Sequence, residues 1–223
     1  MKRYLPFLIV AVVAAAAVGG GTALYRAKRP HPLTIPKEKS ASAVNEAGEG
    51  HVLGPENAPV TLEEFGDFQC PPCGRLSEPI NQLQRDYNRQ LRLVFRNFPL
   101  INHLHAREAA CAAEAAGLQG HFWEMHDVLY REQAVWSNSA DAPALFAAYA
   151  GYMGLNTERF KIDMESEKVK QRVEADQKLG LSLGVKNTPT IFVNNKEIDP
   201  KKLNPTELHA VIDAALKQAK PSS

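Results

Sequence analysis

The sequence predicts an α/β fold in which a long helical segment separates a βαβ unit from a ββα unit. Strand-like alternation at "PVTLEEF" (59–65) and at "LRLVFRNFPL" (91–100), with a helical period between them, indicates the first unit. Helical patterns then continue from residue 103 to about 183, and a strand pattern returns at "PTIFVNN" (189–195). A strand–helix–strand order with a connection of this length implies that the first two strands are parallel.

The N-terminus carries an apolar segment long enough to cross a membrane. Residues 5–24 contain no charge and would span about 30 Å as a helix. We interpret residues 1–25 as a membrane anchor, because this run is long for a signal-peptide core and meets Tyr25 and Arg26. A cleaved signal peptide is the alternative, and either segment would send the chain through the export route. Residues 26–50, rich in Pro, Ser, Ala and charge, are expected to be a flexible tether.

The βαβ unit is expected within residues 51–102. In its two strands, apolar residues alternate at Val60 and Leu62, and at Leu91, Leu93 and Phe95. The helix between them, residues 73–88, has apolar side chains at helical spacing: Leu76, Ile80, Leu83 and Tyr87. Pro79 predicts a kink in this helix.

Residues 103–183 are expected to form an inserted helical domain, and residues 184–223 to complete the first domain. The inserted segments have helical composition and are separated by Ser, Gly and Asn signals; they are "HAREAACAAEAAGLQG", "HFWEMHDVLYRE", "DAPALFAAYAGYMG" and "NTERFKIDMESEKVKQRVEADQKLGLSLG". After the strand at 189–195 come a turn, "KEI" and an amphipathic helix from Pro205 to Ala219.

The charge distribution argues against nucleic-acid binding. The net charge is +1, but residues 1–30 carry five basic side chains and no acidic one. The rest of the chain therefore has 21 basic against 25 acidic side chains, with no long basic run. No Gly-rich phosphate loop, Ser–His–Asp arrangement or nucleotide motif stands out in the sequence.

The stretch "FGDFQCPPCGRL" (65–76) places Cys70 and Cys73 around two prolines, directly after a strand. Such a pair can be a redox couple, half of a zinc site or two unrelated thiols. The chain has only three cysteines, too few for a four-cysteine zinc site. Its close histidine pairs do not share a helix face, because their spacings are two (His103 and His105) and five (His121 and His126). We therefore expect no metal and favour a redox couple.

A redox couple explains where the pair lies in the chain. Cys70 would start a helix, where unpaired backbone N–H groups and the positive end of the helix dipole stabilise a thiolate. This predicts that Cys70 is the attacking and leaving sulfur and that Cys73, more buried, resolves the mixed disulfide. Pro71 and Pro72 cost little in a first helical turn, and their stiffness should hold the two sulfurs within bonding distance.

Two further features fit this chemistry. Glu64 is in strand phase with Val60 and Leu62, so it should lie buried beneath the pair and relay the proton of Cys73, whereas Glu63 should be exposed. Thr188 and Pro189 precede a strand, at a position where a cis peptide bond would turn the chain sharply. An X–Pro bond alone does not predict the cis form.

The segments "PVTLEEFGDFQCPPC", "QGHFWEMHDVLY" and "GVKNTPTIFVNN" together resemble the DsbA-like thiol–disulfide oxidoreductases, which have a thioredoxin-like fold with an inserted helical domain. The resemblance runs from about Val52 to Lys217. It implies that Cys70 is the nucleophile, that Cys73 resolves, and that Thr188–Pro189 is a cis-proline loop facing the sulfurs and offering backbone groups to a substrate peptide. It also implies a membrane redox partner and no cofactor beyond the Cys70–Cys73 disulfide.

The direction of electron flow stays open. The best-known oxidants of this family have His where this chain has Pro72, and that histidine helps to hold the thiolate. Thr188 before the proline is similar to some anchored members and to the isomerases. We expect a monomeric, periplasmic or extracytoplasmic oxidant of thiols in exported proteins. The alternatives are a reductase or isomerase fed by a membrane electron donor and, in another class, a copper-handling or chaperone module.

Two other features are expected to be structural. Cys111 lies in an alanine-rich helix and should be a quiet core thiol. The aromatic residues and Met125 of "FWEMH" have helical spacing, and we expect them to pack in the core rather than line a substrate groove.

Overall fold

The structure, a computed structural model, describes Gly48 and residues 50–219. Within this part, the strands are β1 (His51–Leu53), β2 (Val60–Gly66), β3 (Leu91–Asn97), β4 (Thr190–Val193) and β5 (Lys196–Glu197). The α-helices of the same part are α1 (Pro71–Tyr87), α2 (Ala106–Gly117), α3 (Phe122–Arg131), α4 (Gln133–Trp136), α5 (Ala142–Tyr152), α6 (Thr157–Glu165), α7 (Glu167–Ser182) and α8 (Pro205–Ala219).

The expected membrane anchor, residues 1–25, and nearly all of the expected tether, residues 26–50, lie outside the described residues. Among the described helices, none combines the length and the apolar character needed to cross a bilayer. The division into a helical domain at 103–183 and a discontinuous first domain stays a prediction.

The strands form a mixed sheet in the order β1-β3-β2-β4-β5. β2 and β3 run parallel, as predicted, and Glu64 lies opposite Phe95. β4 runs antiparallel to β2 on its other side, where Ile191 lies opposite Glu64. Because β2 is central, its C-terminal end places the residues that follow it at the middle of the sheet edge. Helices α2 to α7 lie between β3 and β4 in the chain, which confirms the predicted α/β fold with a helical insertion.

The two faces of the sheet are covered by different helices. On one face, α1 and α8 bury apolar residues of β2, β3 and β4, among them Leu62, Leu93 and Ile191. On the other face, Phe65 packs with residues of α7 such as Leu179. A further apolar cluster fills the inserted helices and includes both cysteines of the Cys-Pro-Pro-Cys segment. The inserted helices therefore cover the cysteine pair.

Helix α2 is packed closely because it is rich in alanine. Its contacts are with α3, α5, α6 and α7, and its small side chains allow these helices to approach. Cys111 lies buried in this helix, as expected, and burial raises the pKa of its thiol to about 11. The "FWEMH" prediction also holds for Phe122 and Met125, which are buried in the core of the inserted helices.

Glu63 was expected to be exposed, and this prediction is wrong. Helix α7 covers this face of the sheet, and Oε1 of Glu63 lies there, 2.8 Å from Nε of Arg96. Arg96 also pairs with the fully buried Asp176 of α7 (3.1 Å), and Arg172 pairs with the same carboxylate (2.8 Å). Buried charges that are paired in this way tie the inserted helices to the sheet.

Two predicted boundaries differ from the structure, both because of local capping and turn chemistry. The segment from 157 to 182 is two helices, since the Ser166 hydroxyl accepts a hydrogen bond from the Val169 N–H and starts α7. The strand predicted at 189–195 ends at Val193, since Asn194 and Asn195 have φ angles of 47° and 64°. Two consecutive residues with positive φ form the turn of a two-residue hairpin, which joins β4 to β5.

Candidate active site

Cys70 directly precedes the first turn of α1. Its backbone is extended (φ −74°, ψ 118°), and Pro71 and Pro72 occupy the first two helical positions. Neither proline has an N–H group, so the N–H of Cys73 is the first amide that the helix can offer. The next amide, that of Gly74, is bonded to Cys70 O (3.1 Å). One backbone N–H therefore serves the Cys70 sulfur, fewer than an open helix start would provide.

The surroundings of Cys70 stabilise its thiolate. Hydrogen bonding from the Cys73 thiol is the largest cause that lowers the pKa of Cys70 from 9.0 to about 6. The Thr188 side chain and the Cys73 N–H act in the same direction, whereas burial and the charge of Asp67 oppose them. The Thr188 hydroxyl is buried and has no hydrogen-bond partner among the described residues.

Cys73 has the opposite environment. Its side chain is fully buried, and burial raises its pKa well above 9.0, with further contributions from Cys70 and from the charge of Glu64. Both cysteines are free thiols in this structure. At neutral pH, Cys70 is thus a thiolate and Cys73 a protonated thiol, which supports the predicted division into nucleophile and resolving cysteine.

Glu64 lies beneath the pair on the inward face of β2, where the strand phase placed it. Its side chain is 4% exposed, and its Oε1 has no hydrogen-bond partner among the described residues. Burial, followed by the charge of Cys70, raises the pKa of Glu64 from 4.5 to about 8. A carboxyl group with this pKa can give or take a proton near neutral pH, as the predicted relay requires.

The loop before β4 lies against Cys70. The Thr188–Pro189 peptide bond is cis, and the Cys70 Sγ lies 3.3 Å from the carbonyl oxygen of Thr188. Beside this contact, a groove of about 790 Å³ opens between α1 and the segments around β4 and β5. Pro72 and Arg75 line it on one side, and Lys186, Thr188 and Pro189 on the other.

Asp67 belongs to this site, although we did not predict it from the sequence. Its buried carboxylate accepts hydrogen bonds from the N–H groups of Gln69 (2.7 Å) and Leu100 (2.8 Å), and Nδ1 of His103 lies 2.7 Å away. The Cys70 N–H in turn donates to Asp67 O (3.0 Å). The bond from Asp67 to the amide two residues on is an Asx turn, so "DFQ" before the first cysteine was an available sequence signal.

Two glutamines fasten the segment from Phe68 to Cys70 to the inserted helices. Nε2 of Gln133, at the start of α4, donates to Phe68 O (2.6 Å) and to Cys70 O (3.0 Å). Gln69 donates to Ser137 O (3.2 Å) and accepts from the His105 N–H (2.6 Å). These contacts join residues far apart in the chain, and no local pattern indicates them.

The described residues contain no group of three or more His, Cys, Asp or Glu side chains arranged to hold a metal ion. His103 contacts Asp67, and His105 contacts Glu108 at 2.7 Å and Ser139 O at 3.1 Å. These histidines therefore support the backbone near the site.

The titration of Cys70 gives the first testable prediction. In the reduced protein, reaction of Cys70 with iodoacetamide should increase with pH around a midpoint of about 6 and level off above it. Cys73 and Cys111 should stay unmodified over this range, because burial raises both pKa values. Mass spectrometry of the alkylated peptides measures this, and a Cys70 midpoint near 9 would contradict the thiolate stabilisation described above.

The site and fold can be compared with known proteins. A family model described as thioredoxin matches residues 46–214. BdbD from Bacillus subtilis, in a structure of its oxidised form, is 29% identical, with a TM-score of 0.68 over 78% of this chain and 95% of that chain. A thioredoxin-like oxidoreductase from Silicibacter pomeroyi is 29% identical, with a TM-score of 0.65 over 79% and 97%. α-DsbA1 from Wolbachia pipientis, 20% identical with a TM-score of 0.64 over 75% and 91%, shares the fold.

The chain is also similar to part of several longer proteins named Na(+)/H(+) antiporter NhaA. The protein from Salinispora arenicola is 40% identical over 147 residues, which are 66% of this chain and 22% of that protein. The one from Mycolicibacterium gilvum is 40% identical over 151 residues, 66% of this chain and 23% of that protein. The chain thus spans less than a quarter of the length of these curated relatives, and their name describes the whole proteins.

Proposed function

The chain belongs to the thioredoxin family as one of its DsbA-like thiol–disulfide oxidoreductases, and on this premise we propose that its Cys70–Cys73 couple oxidises the thiols of exported proteins. The observation that carries the proposal is the opposite environment of the two sulfurs. Cys70 has a pKa of about 6 at the start of α1, whereas the pKa of the buried Cys73 lies well above 9.0.

In the proposed reaction, a substrate thiolate attacks Sγ of Cys70 in the oxidised pair. The bond between the two cysteine sulfurs breaks, and Cys73 leaves as a thiolate that takes a proton from Glu64. A second substrate thiolate then attacks the substrate sulfur of the mixed disulfide and releases the Cys70 thiolate. Two electrons have passed from the substrate to the pair, and the substrate carries a disulfide.

The stabilised thiolate supports the oxidising direction. A low pKa at Cys70 favours the reduced form of the pair, so the disulfide gives up its bond readily. The absence of a histidine at Pro72 acts against this, but the surroundings described above, with the Cys73 thiol as the largest cause, still lower the pKa of Cys70 to about 6. Reduction or isomerisation needs a pair that is less oxidising; Pro72 and the single backbone N–H at Cys70 act in that direction, whereas the pKa of about 6 at Cys70 favours oxidation.

The groove beside Cys70 supports a peptide substrate. An extended segment lying there would pass the cis Thr188–Pro189 bond, where backbone hydrogen bonds would provide affinity with little demand on sequence. The proposal includes export by way of residues 1–25, attachment to the membrane, and a membrane partner that reoxidises the pair. A copper-handling module is disfavoured, because Cys73 is buried and protonated rather than open to a metal ion.

The reduction potential of the pair tests the direction. Equilibration with a series of glutathione ratios, read by alkylation and mass spectrometry, should give a value less negative than that of thioredoxin, about −270 mV, and shifted toward that of strong oxidants, about −120 mV. A value of about −270 mV, typical of thioredoxin, would refute net oxidation. Insulin reduction by the reduced protein separates the function classes, since a copper carrier without exchange activity would give none.

A further inference from the structure

His126, in the "FWEMHD" segment of α3, is a buried titratable residue that the proposed reaction does not yet use. Five aromatic rings surround its imidazole at centroid distances from 4.9 to 6.2 Å; they belong to Phe68, Phe95, Phe122, Trp123 and Tyr130. Burial lowers the pKa of His126 below 6.5, so the ring is neutral at neutral pH. A neutral imidazole has one nitrogen that donates and one that accepts, and it can therefore take up a proton on one side and release one on the other.

A small cavity connects this ring to the carboxyl group beneath the cysteines. It has a volume of about 10 Å³, close to the least that one water requires, and Glu64, Ser77 and His126 line it among apolar side chains. Oε1 of Glu64 is buried and has no hydrogen-bond partner among the described residues. Glu64 and His126 thus line one shared space in which a single water could pass a proton between them.

Asp127 connects the other side of the ring to solvent. Nδ1 of His126 lies 2.9 Å from Oδ1 of Asp127, whose side chain is 47% exposed. Although burial acts to raise it, hydrogen bonds from His126 and Asn81 hold the pKa of Asp127 below 3.8, so this carboxylate is ionised. An ionised carboxylate can only accept, so Nδ1 donates to it, and Nε2 is the accepting nitrogen of the ring.

We propose that His126 and Asp127 conduct protons between Glu64 and solvent during thiol–disulfide exchange. The proposal rests on the function proposed above and adds a path for the proton that Cys73 exchanges with Glu64. When Cys73 loses its proton to Glu64, one proton moves from Glu64 to Nε2, and the proton on Nδ1 passes to Asp127 and then to water. The reverse sequence returns a proton to Glu64, and no electron moves along this path.

Other titratable groups also face His126. His51 of β1 contributes to its electrostatic environment, and Tyr130, one turn further along α3, lies within 4.9 Å between ring centroids. The Tyr130 hydroxyl is buried without a partner among the described residues and interacts with the charges of Cys73 and Glu64. Tyr130 is therefore the alternative candidate for carrying a proton away from Glu64. Tyr130→Phe, which removes only the hydroxyl, is the matched control.

The test is the rate at which Cys73 resolves a mixed disulfide between Cys70 and a peptide, followed by stopped flow from pH 5 to 9 in H₂O and D₂O. His126→Phe and Asp127→Asn should each slow this step at least about tenfold and increase its solvent isotope effect. Their reduction potentials should stay unchanged, because a proton conductor alters the rate and not the equilibrium. Tyr130→Phe should behave like the wild type.

A second arm separates conduction from a general disturbance of the fold. In a Glu64→Gln background, where no proton reaches the path, adding His126→Phe should have no further effect on the rate. The proposal would be overturned if His126→Phe and Asp127→Asn both resolved the mixed disulfide at the wild-type rate. It would also be overturned if His126→Phe slowed this step as much in the Glu64→Gln background as in the wild type, or if Tyr130→Phe alone slowed it. Should His126→Phe fail to fold, the half-exposed Asp127→Asn decides. If the wild type itself shows no exchange, the proposed function fails instead.

Discussion

Replacing Cys70 with serine should abolish thiol–disulfide exchange, because the thiolate with a pKa of about 6 is the attacking and leaving sulfur. A serine hydroxyl does not attack a disulfide and cannot form a mixed disulfide with a substrate. We expect no insulin reduction and no peptide oxidation above the background without protein. The fold should tolerate this change of one atom at the start of α1, which circular dichroism can verify.

The complementary variant, Cys73→Ser, should form a mixed disulfide with substrate and keep it. Cys70 can still attack, but the buried sulfur that would resolve the intermediate is missing. Non-reducing electrophoresis and mass spectrometry should show the trapped species in this variant alone. Cys111→Ala is the matched control, since Cys111 lies in the core of the inserted helices. Trapping through Cys111, or full activity in Cys70→Ser, would contradict the assignment.

Glu64→Gln should stabilise the reduced protein while impairing its chemistry. Burial raises the pKa of Glu64 to about 8, so the native state keeps this proton over a pH range in which the unfolded chain, with a pKa near 4.5, has released it. The native state therefore binds more protons, and the wild type loses stability as the pH rises from about 4.5 to 8. The uncharged amide avoids this loss, an advantage on the order of 4 kcal/mol at pH 8.

Urea denaturation of the reduced proteins at pH 4, 6 and 8 measures this effect. The difference between Glu64→Gln and wild type should be small at pH 4 and grow toward pH 8. The neighbouring Glu63→Gln is the control and should be destabilising, because it removes one of the carboxylate partners of the buried Arg96. The resolution step of Glu64→Gln should be slower by about a hundredfold, since the proton acceptor is lost. A pH-independent stability difference would contradict the raised pKa.

The strand–helix–strand signals of residues 59–100 predicted both the parallel pair of strands and the inward position of Glu64. A strand period of two fixes which face each residue takes, and the burial of Val60 and Leu62 then determines that of Glu64. The same reasoning failed for Glu63, because the period shows that it lies on the other face but not that α7 covers this face. Burial of both faces depends on a helix more than a hundred residues away in the chain.

The contacts that surround the cysteines were less accessible to sequence reasoning. The Asx turn of Asp67 is local and could have been recognised. Gln133 contacts the Cys70 backbone and His126 lines the cavity beside Glu64, both from the inserted helices, and neither has a distinctive spacing to the cysteines. Helical spacing identified "FWEMH" as a core face, which is correct for its packing but does not reveal that His126 lines a cavity together with Glu64.

The two hydrogen bonds from Gln133 bear on protein engineering. They make a side chain of the inserted helices part of the support of the Cys70 backbone. A Cβ at Gly74 would lie 2.8 Å from Oε1 of Gln133, so a larger residue at this position would have to displace that side chain. Transplanting Cys-Pro-Pro-Cys onto a thioredoxin scaffold that lacks these helices would thus carry over the sulfurs without the support of their backbone. The transferable unit is the motif together with the helix that bears Gln133.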